Sequence, residues 1–500
     1  MRAKALKYLI LLVILVIINT GNASNLPDFP AEHEDITRPI SYKQMQKDLR
    51  KFNRRDYIEL NTFGESANGN SLYSVHINNG SSADQWKVML LGQQHGDEPA
   101  GKDAILYLIK YIAANENLIP EGLDLWLIPM ANPDGAIANK RRNGNDADLN
   151  RDHVLLSQPE TRAIHKLFRK IKPHVFVDCH EFGRDSRDYL NKGWREWPLI
   201  MMDCANNPFY EKELYESGVK WCESLKPYMR KNGHNYKRYN VGGVPPDDEQ
   251  RYSTPESDDA RNGLGAYQGL SFIIESGIRN KTLANPNQDL GKRIDAYLDI
   301  FKHILYNRQN REGNKQIIAA ARESDLPDFI PTNYFWGNKG VKITDYKVID
   351  KKTGKTKIVR TPNFMHDMIV KKSVSTPRGY LIASNSNSLF KKLLNRHEIE
   401  YKELHTARYF NVESCQLIRV EEDFDPVYSR YSGRQIVRPD TTSQIKLGSG
   451  TLLITLENGL NSRRAALLLE PLKLYGLFQY QDFKETVTEN NRLPIYRLVE

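Results

Sequence analysis

Cysteine is scarce, with four residues in 500. That is too few for a disulfide scaffold in a chain of this length. Cys204 and Cys222 are the candidates for a pair in an oxidising compartment. Cys179 closes an apolar run and reads as a small buried residue. Cys415 has no evident role. A Cys179–His180 nucleophilic dyad is disfavoured, because adjacent residues on a strand face opposite sides. Long apolar runs are scarce as well. Tyr8–Ile18 is too short for a comfortable membrane span, and no other run is long enough. Also missing is a basic block interleaved with aromatics. The formal charge of +9 therefore reads as solubility, not nucleic-acid binding.

Arg2, Lys4 and Lys7 precede that apolar run, and Asn19–Ser24 follow it. A charged start, an apolar middle and small residues at a cleavage point describe a secretory leader over residues 1–23. An uncleaved N-terminal anchor is the rival reading. No cysteine lies near the cleavage point, so nothing suggests a lipid anchor. Loss of the leader's three cations takes the formal charge from +9 to +6. The protein is expected to be exported, periplasmic or secreted, with no stable membrane span after cleavage. Its length leaves room for about two to three domains.

What the sequence does contain is an alternation of strand and helix patterns. Ser41–Phe52 reads as a helix, and Ser71–Ile77 alternates like a strand. Lys87–Leu91 is an apolar strand, and Gly92–Gly101 (G-Q-Q-H-G-D-E-P-A-G) follows it. Ala100–Ala114 reads as a helix with Pro99 near its first turn. Leu123–Met130 is a third strand, ending in the turn Asn132-Pro133-Asp134-Gly135. Pro159–Arg169 is helical, His174–Cys179 is a strand, and Pro208–Lys231 is helical. Leu270–Ile274 is a buried strand that Glu275 ends. This order predicts a mixed, mainly parallel sheet flanked by helices. Strand ends in such a sheet meet at one edge, where ligands bind.

His95 and Glu98 arrive at that edge on one loop, and His180 on another. Two imidazoles and a carboxylate suit zinc, and three protein ligands leave the fourth position open, as catalytic sites require. The bland alternative is a polar, solvated loop. Glu275 sits in the apolar segment Phe272–Gly277, where an unpaired carboxylate is costly. It reads as a general base with proton affinity raised by desolvation, or as half of a structural ion pair. Lys140–Arg151 supplies cations and amides. Arg141 suits a developing oxyanion, and Asn150 with Arg151 suits a terminal carboxylate.

These pieces together resemble the zinc carboxypeptidase family, the metallopeptidases built like carboxypeptidase A. The matching segments are H-G-D-E (His95–Glu98), N-P-D-G (Asn132–Gly135), R-R-N-G-N-D-A-D-L-N-R (Arg141–Arg151), D-C-H-E (Asp178–Glu181) and F-I-I-E-S-G (Phe272–Gly277). The resemblance implies one zinc ion per chain, held by His95, Glu98 and His180. It implies Glu275 as general base and Arg141 as the group that polarises the scissile carbonyl, with Arg142 as its neighbour and fallback. Asn150 and Arg151 then hold the C-terminal carboxylate of a peptide substrate, and Asp148 orients His95. Tyr252 is the match for the family's mobile-loop tyrosine, with Tyr267 nearer to Glu275. Asp258 or Asp259 falls where the specificity pocket lies. Glu181, after the third ligand, either competes for metal or forms an ion pair. The short span from Glu98 to His180 resembles trimmed bacterial-type secreted members.

A catalytic domain is thus expected over residues 40–315. Residues 324–500 read as a smaller α/β accessory domain resembling the extensions of some members. There Lys342–Val359 alternates around a turn at Asp350–Lys355. Arg378–Ile382 and Ser449–Glu457 read as strands, and Ser386–Asn395 and Ser462–Glu470 as helices, the last capped by Ser462. His397 and His405 carry no catalytic pattern. The implied activity is release of C-terminal residues from peptides. A zinc deacylase or amidase acting on acyl-amino acids or peptidoglycan peptides, and a non-catalytic zinc-binding module, are the other two classes.

Overall fold

The structure is a computed structural model. It describes residues 33, 36–78, 80, 85–278, 289–425, 430–457 and 459–499. The leader expected over residues 1–23 lies outside them.

Eight strands form the central sheet. They are β1 (Ile58–Glu65), β2 (Ser71–Asn78), β3 (Trp86–Gly92), β4 (Leu123–Ile128), β5 (Val175–Gly183), β6 (Ile200–Cys204), β7 (Tyr236–Arg238) and β8 (Leu270–Ile278). Their order is β1-β2-β4-β3-β5-β8-β6-β7. The middle four, β4, β3, β5 and β8, are mutually parallel. β1, β2 and β6 join antiparallel. The apolar character of β3, β5 and β8 follows from helices on both faces, which leave no side of these strands wet.

The helices that cover the sheet are α1 (Tyr42–Phe52), α2 (Ala100–Ala114), α3 (Pro133–Ala138), α4 (Pro159–Ile171), α5 (Lys212–Lys231), α6 (Ala260–Gly265), α7 (Leu290–Tyr306) and α8 (Arg308–Glu323). α4 shows why such segments are helical. Ile164, Leu167, Phe168 and Ile171 recur at one-turn spacing and are buried, so one stripe of the helix faces the sheet. Pro159 supplies a preset first turn, and Lys172 ends the helix in a left-handed conformation. On the opposite face α2 packs between the sheet and α7, and Ile105, Ile109, Ile112, Tyr297 and Phe301 share the main core.

Three boundaries differ from the sequence reading in ways that matter. β5 runs on to Gly183 and β8 to Ile278, so His180 and Glu275 lie within strands, not beyond them. The Asn132–Gly135 segment is the start of α3, with the Asn132 side chain accepting from the Gly135 amide at 2.8 Å. α5 begins at Lys212.

The last third is rich in strands. A six-stranded sheet contains Gly379–Ile382 flanked by Leu452–Thr455 and Ile495–Leu498. Helices α9 (Asn387–His397) and α10 (Leu460–Leu469) accompany it. Gly459 caps α10 and Ser462 lies inside it, which corrects the expected Ser462 cap. The alternating stretch near residue 350 is the hairpin Thr344–Asp350/Thr356–Thr361. A second ribbon, Cys415–Asp425 with Arg430–Pro439, was not visible in the sequence. The apolar core of the last third includes Tyr380, Phe390 and Phe478, and Phe209, Tyr210 and Ala266 from earlier in the chain sit in the same cluster. Among the described residues no helix is long and apolar enough to cross a membrane.

All four cysteines are free and buried. Burial pushes the Cys222 thiol up, and neighbouring Cys204 pushes it further. Cys179 faces the helix side, where a side chain at Gly101 would meet it. His180, the next residue, faces the opposite way.

Candidate metal centre

The loop after β3 is fixed before it reaches His95. Gln93 takes a left-handed backbone conformation and its side-chain amide donates to the Gly96 carbonyl at 2.8 Å. The Asn132 amide donates to the Gln94 carbonyl at 3.0 Å. A Cβ on Gly96 would lie 2.0 Å from the backbone carbon of Gly135, so only glycine lets the two segments touch. α3 and the His95 loop are thereby locked together.

His95, Glu98 and His180 meet as a triangle. His95 Nδ1 lies 3.0 Å from Glu98 Oε2. His180 Nδ1 lies 3.0 Å from Glu98 Oε2 and 3.0 Å from His95 Nδ1. The residues are 1–3% exposed. Tetrahedral bonds of about 2.0–2.1 Å place ligand atoms about 3.3 Å apart, so this donor set fits zinc closely. The Glu181 amide donates to Glu98 Oε2 at 3.0 Å, and the Tyr297 hydroxyl donates to the His180 carbonyl.

Each imidazole has a carboxylate behind it, the arrangement that metal-bound histidines use to fix tautomer and ring plane. Asp148 Oδ1 lies 3.2 Å from His95 Nε2. Asp178 Oδ2 lies 2.7 Å from His180 Nε2. Asp148 emerged from the sequence; Asp178 did not. The clue was its position two residues before His180 on a strand, which puts both side chains on one face. Asp148 is buried, which disfavours its charge, but His95, Arg141 and Arg151 outweigh burial and hold it well below the usual carboxylate range. Burial likewise disfavours a charged His180, yet Asp178 and Glu98 raise it well above the usual imidazole value.

The remaining sequence candidates fall into two groups. Arg141 joins the triangle: Nη1 is 3.1 Å from His95 Nδ1, and Nη2 is 2.9 Å from Asp148 Oδ2. Arg142 instead turns to Asp146, donating to its carbonyl at 2.8 Å. Asn150 Nδ2 lies 3.1 Å from His180 Nε2. Arg151 Nε lies 3.9 Å from Asp258 Oδ2. Glu275 is the register partner of His180 across the parallel β5–β8 pair. It is 8% exposed, and strand parity sets it on the His180 face.

Others lie elsewhere. Glu181 points to the opposite side of β5, accepting from the Ala100 amide at 2.7 Å and pairing with Arg293 Nη1 at 2.5 Å. It is an ion pair and not a fourth ligand. Asp259 caps α6 through the Asn262 amide and binds Arg261 at 2.8 Å. Tyr252 packs with its ring 3.8 Å from the Arg238 guanidinium and edge-on to Trp336 and Phe364. Those partners come from segments other than the ones that carry the triangle. Tyr267 packs against Phe168 and under Arg464.

His95, Glu98 and His180 are three buried side chains whose ligand atoms converge closely enough to hold one metal ion, and buried Glu275 lies on the adjoining strand. Comparisons with known proteins bear on the family. A family profile described as zinc carboxypeptidase matches residues 45–185. Carboxypeptidase 2 of Trichophyton rubrum is 39% identical over 453 residues, 86% of this chain and 79% of that protein. Carboxypeptidase 2 of Trichophyton equinum is 38% identical over 445 residues, 83% and 77%. A solved metallo-carboxypeptidase from Pseudomonas aeruginosa, in complex with (2-guanidinoethylmercapto)succinic acid, aligns with TM-score 0.43 and 20% identity over 55% of this chain and 70% of that one. The chain belongs to the zinc carboxypeptidase family. It is a zinc-dependent metallopeptidase of the carboxypeptidase type.

Proposed function

We propose that this chain is an exported enzyme that removes C-terminal residues from peptides, with one zinc ion held by His95, Glu98 and His180. The observation that carries this is the 3.0 Å donor triangle beside Glu275 on the parallel neighbour strand. Zinc bound there supplies a Lewis acid and lowers the pKa of a coordinated water.

The chain's own residues do the rest. Glu275 takes the proton of the attacking water and delivers it to the departing amine. Arg141, anchored on Asp148, faces the scissile carbonyl and stabilises charge that develops on its oxygen. Asn150 and Arg151 hold the substrate's terminal carboxylate, which restricts cleavage to the last bond. Asp148 and Asp178 keep the two imidazoles oriented. For Tyr252 to close over substrate, its ring has to leave the Arg238 guanidinium. Residues 40–315 carry the reaction, and residues 324–500 form the accessory region. The leader over residues 1–23 directs export.

The test uses the mature chain with a mixed peptide library, with and without a zinc chelator, and mass spectrometry of the products. Loss of single C-terminal residues, abolished by chelation and restored by zinc, is the expected result. Cleavage of acyl-amino acids but not of free-C-terminus peptides would overturn the carboxypeptidase reading in favour of a deacylase. Zinc binding without hydrolysis would leave a binding module.

A further inference from the structure

Behind His180 a line of buried polar groups runs away from the metal centre. Asp178 Oδ2, which faces His180 Nε2, also accepts from Gln94 Nε2 at 2.8 Å. Gln94 Oε1 faces His153 Nε2 at 3.0 Å. His153 Nδ1 faces His165 Nε2 at 3.0 Å. None of Asp178, Gln94, His153 or His165 is more than 1% exposed. The ring of His397, on α9 in the last third of the chain, packs edge-on against His165 with centroids 5.8 Å apart. His397 Nε2 itself bonds the Val154 carbonyl at 2.7 Å.

The chemistry of each group sets the direction of every bond. Gln94 Nε2 donates to Asp178 Oδ2, so the amino group of the Gln94 amide faces the carboxylate. The amide carbonyl then faces His153, whose Nε2 must carry the hydrogen. Burial pushes His153 down to about 4, so near neutral pH it has one ring proton and Nδ1 is an acceptor. His165, pushed well below the usual imidazole range by burial, donates to that acceptor from Nε2. All hydrogens in the line therefore point toward Asp178. Hydrogen bonds aligned in one sense polarise each other, and in a dry interior they hold their acceptor firmly. The acceptor here is the carboxylate that fixes the Nε2–H tautomer of His180 and leaves its Nδ1 for metal. The Asn150 amide group also lies near His180 Nε2, but of the two only Asp178 can accept its hydrogen.

We infer that His153, backed by His165 and acting through Gln94 and Asp178, is a positioning residue for the metal ligand His180. This rests on the reading of His180 as a zinc ligand. His153 touches neither substrate nor metal. Its part is to keep Gln94 from flipping, because a flipped amide would aim its carbonyl at the carboxylate and its amino group at the imidazole donor.

The experiment measures zinc affinity of the full chain by competition with a chromophoric chelator, together with melting of the zinc-free protein. The variants are His153→Phe, which removes the donor, and His153→Gln, whose amide nitrogen replaces Nε2. His153→Phe should raise the zinc dissociation constant about 10- to 100-fold, the usual effect of losing a supporting hydrogen bond. His153→Gln should restore most of that loss. His165→Phe, which only leaves His153 Nδ1 without its donor, should show a smaller weakening and serves if His153→Phe does not fold. Wild-type affinity in both Phe variants would overturn the inference. So would equal loss in His153→Phe and His153→Gln, which marks a packing effect. A wild-type chain that takes up no zinc overturns the metal reading itself.

Discussion

Replacing Gly96 by alanine should empty the metal centre while leaving the fold in place. Gly96 is not in a left-handed conformation, so space alone decides. Its Cβ would lie 2.0 Å from Gly135 C, 2.3 Å from Ala136 N and 2.5 Å from Gly135 Cα. Ordinary contact begins near 3.4 Å, so the closest pair must separate by 1.4 Å, the difference between 3.4 and 2.0. All three atoms are backbone, and the Asn132 cap fastens that turn, so no flexible side chain can yield. The His95 loop has to move. His95 precedes Gly96 directly and Glu98 follows two residues on, while metal sites tolerate ligand errors of only about 0.2 Å. Zinc affinity should fall by about 100-fold or more, at the upper end of what disturbing a ligand's support does. The assay is chelator competition on variant and wild type, with circular dichroism to confirm the fold. A Gly96→Ala chain that binds zinc with wild-type affinity would refute this account of the loop.

Other perturbations separate chemistry from support. Glu275→Gln should retain zinc and lose about 10²–10⁴-fold in kcat, the range for a general base; near-normal turnover would remove Glu275 from that role. Arg293→Met leaves Glu181 buried without its guanidinium, and urea unfolding should show a loss of about 3–5 kcal/mol, largely recovered when Glu181→Gln is added. No recovery in the double variant would count against the pairing argument. Burial pushes His303 down to about 4 from 6.5, and its Nδ1 accepts from Trp221 Nε1 at 3.2 Å. The unfolded chain binds that proton first, so stability is complete above pH 6.5 and declines as pH falls toward 4. At about 1.4 kcal/mol per unit the loss reaches about 3 kcal/mol. His303→Gln should flatten that decline in urea midpoints measured at pH 7 and 4.5; an unchanged slope would contradict it.

The central strands β3, β4, β5 and β8 were legible because they carry the signature of burial on both faces, whereas β1, β6 and β7 were not read as strands. The helices were legible because segments such as α4 keep an apolar stripe. The triangle was legible because His95 and Glu98 share one short motif just after β3 and His180 sits in another within β5. What stayed hidden depends on pairing that no local pattern encodes. Asp178 could have been found from strand parity, since it shares the face of His180. Gln94, His153 and His165 could not, because they meet only after three segments pack together. The Cys415–Pro439 ribbon was obscured by its charged residues, which give no alternating apolar face. Tyr252 was proposed from its distance to Glu275 along the chain, yet Arg238 and the Phe364 strand decide where its ring rests.

The shared apolar cluster of Phe209, Tyr210 and Ala266 with Tyr380, Phe390 and Phe478 bears on how this protein can change. Arg463 strengthens the same seam, reaching Glu211 at 2.6 Å. An extension hung on a linker could be trimmed or exchanged freely. This one is mortared in: cutting it away would leave aromatic rings of the first half facing water, a surface prone to aggregation. Shortened versions would need compensating substitutions at Phe209, Tyr210 and Ala266.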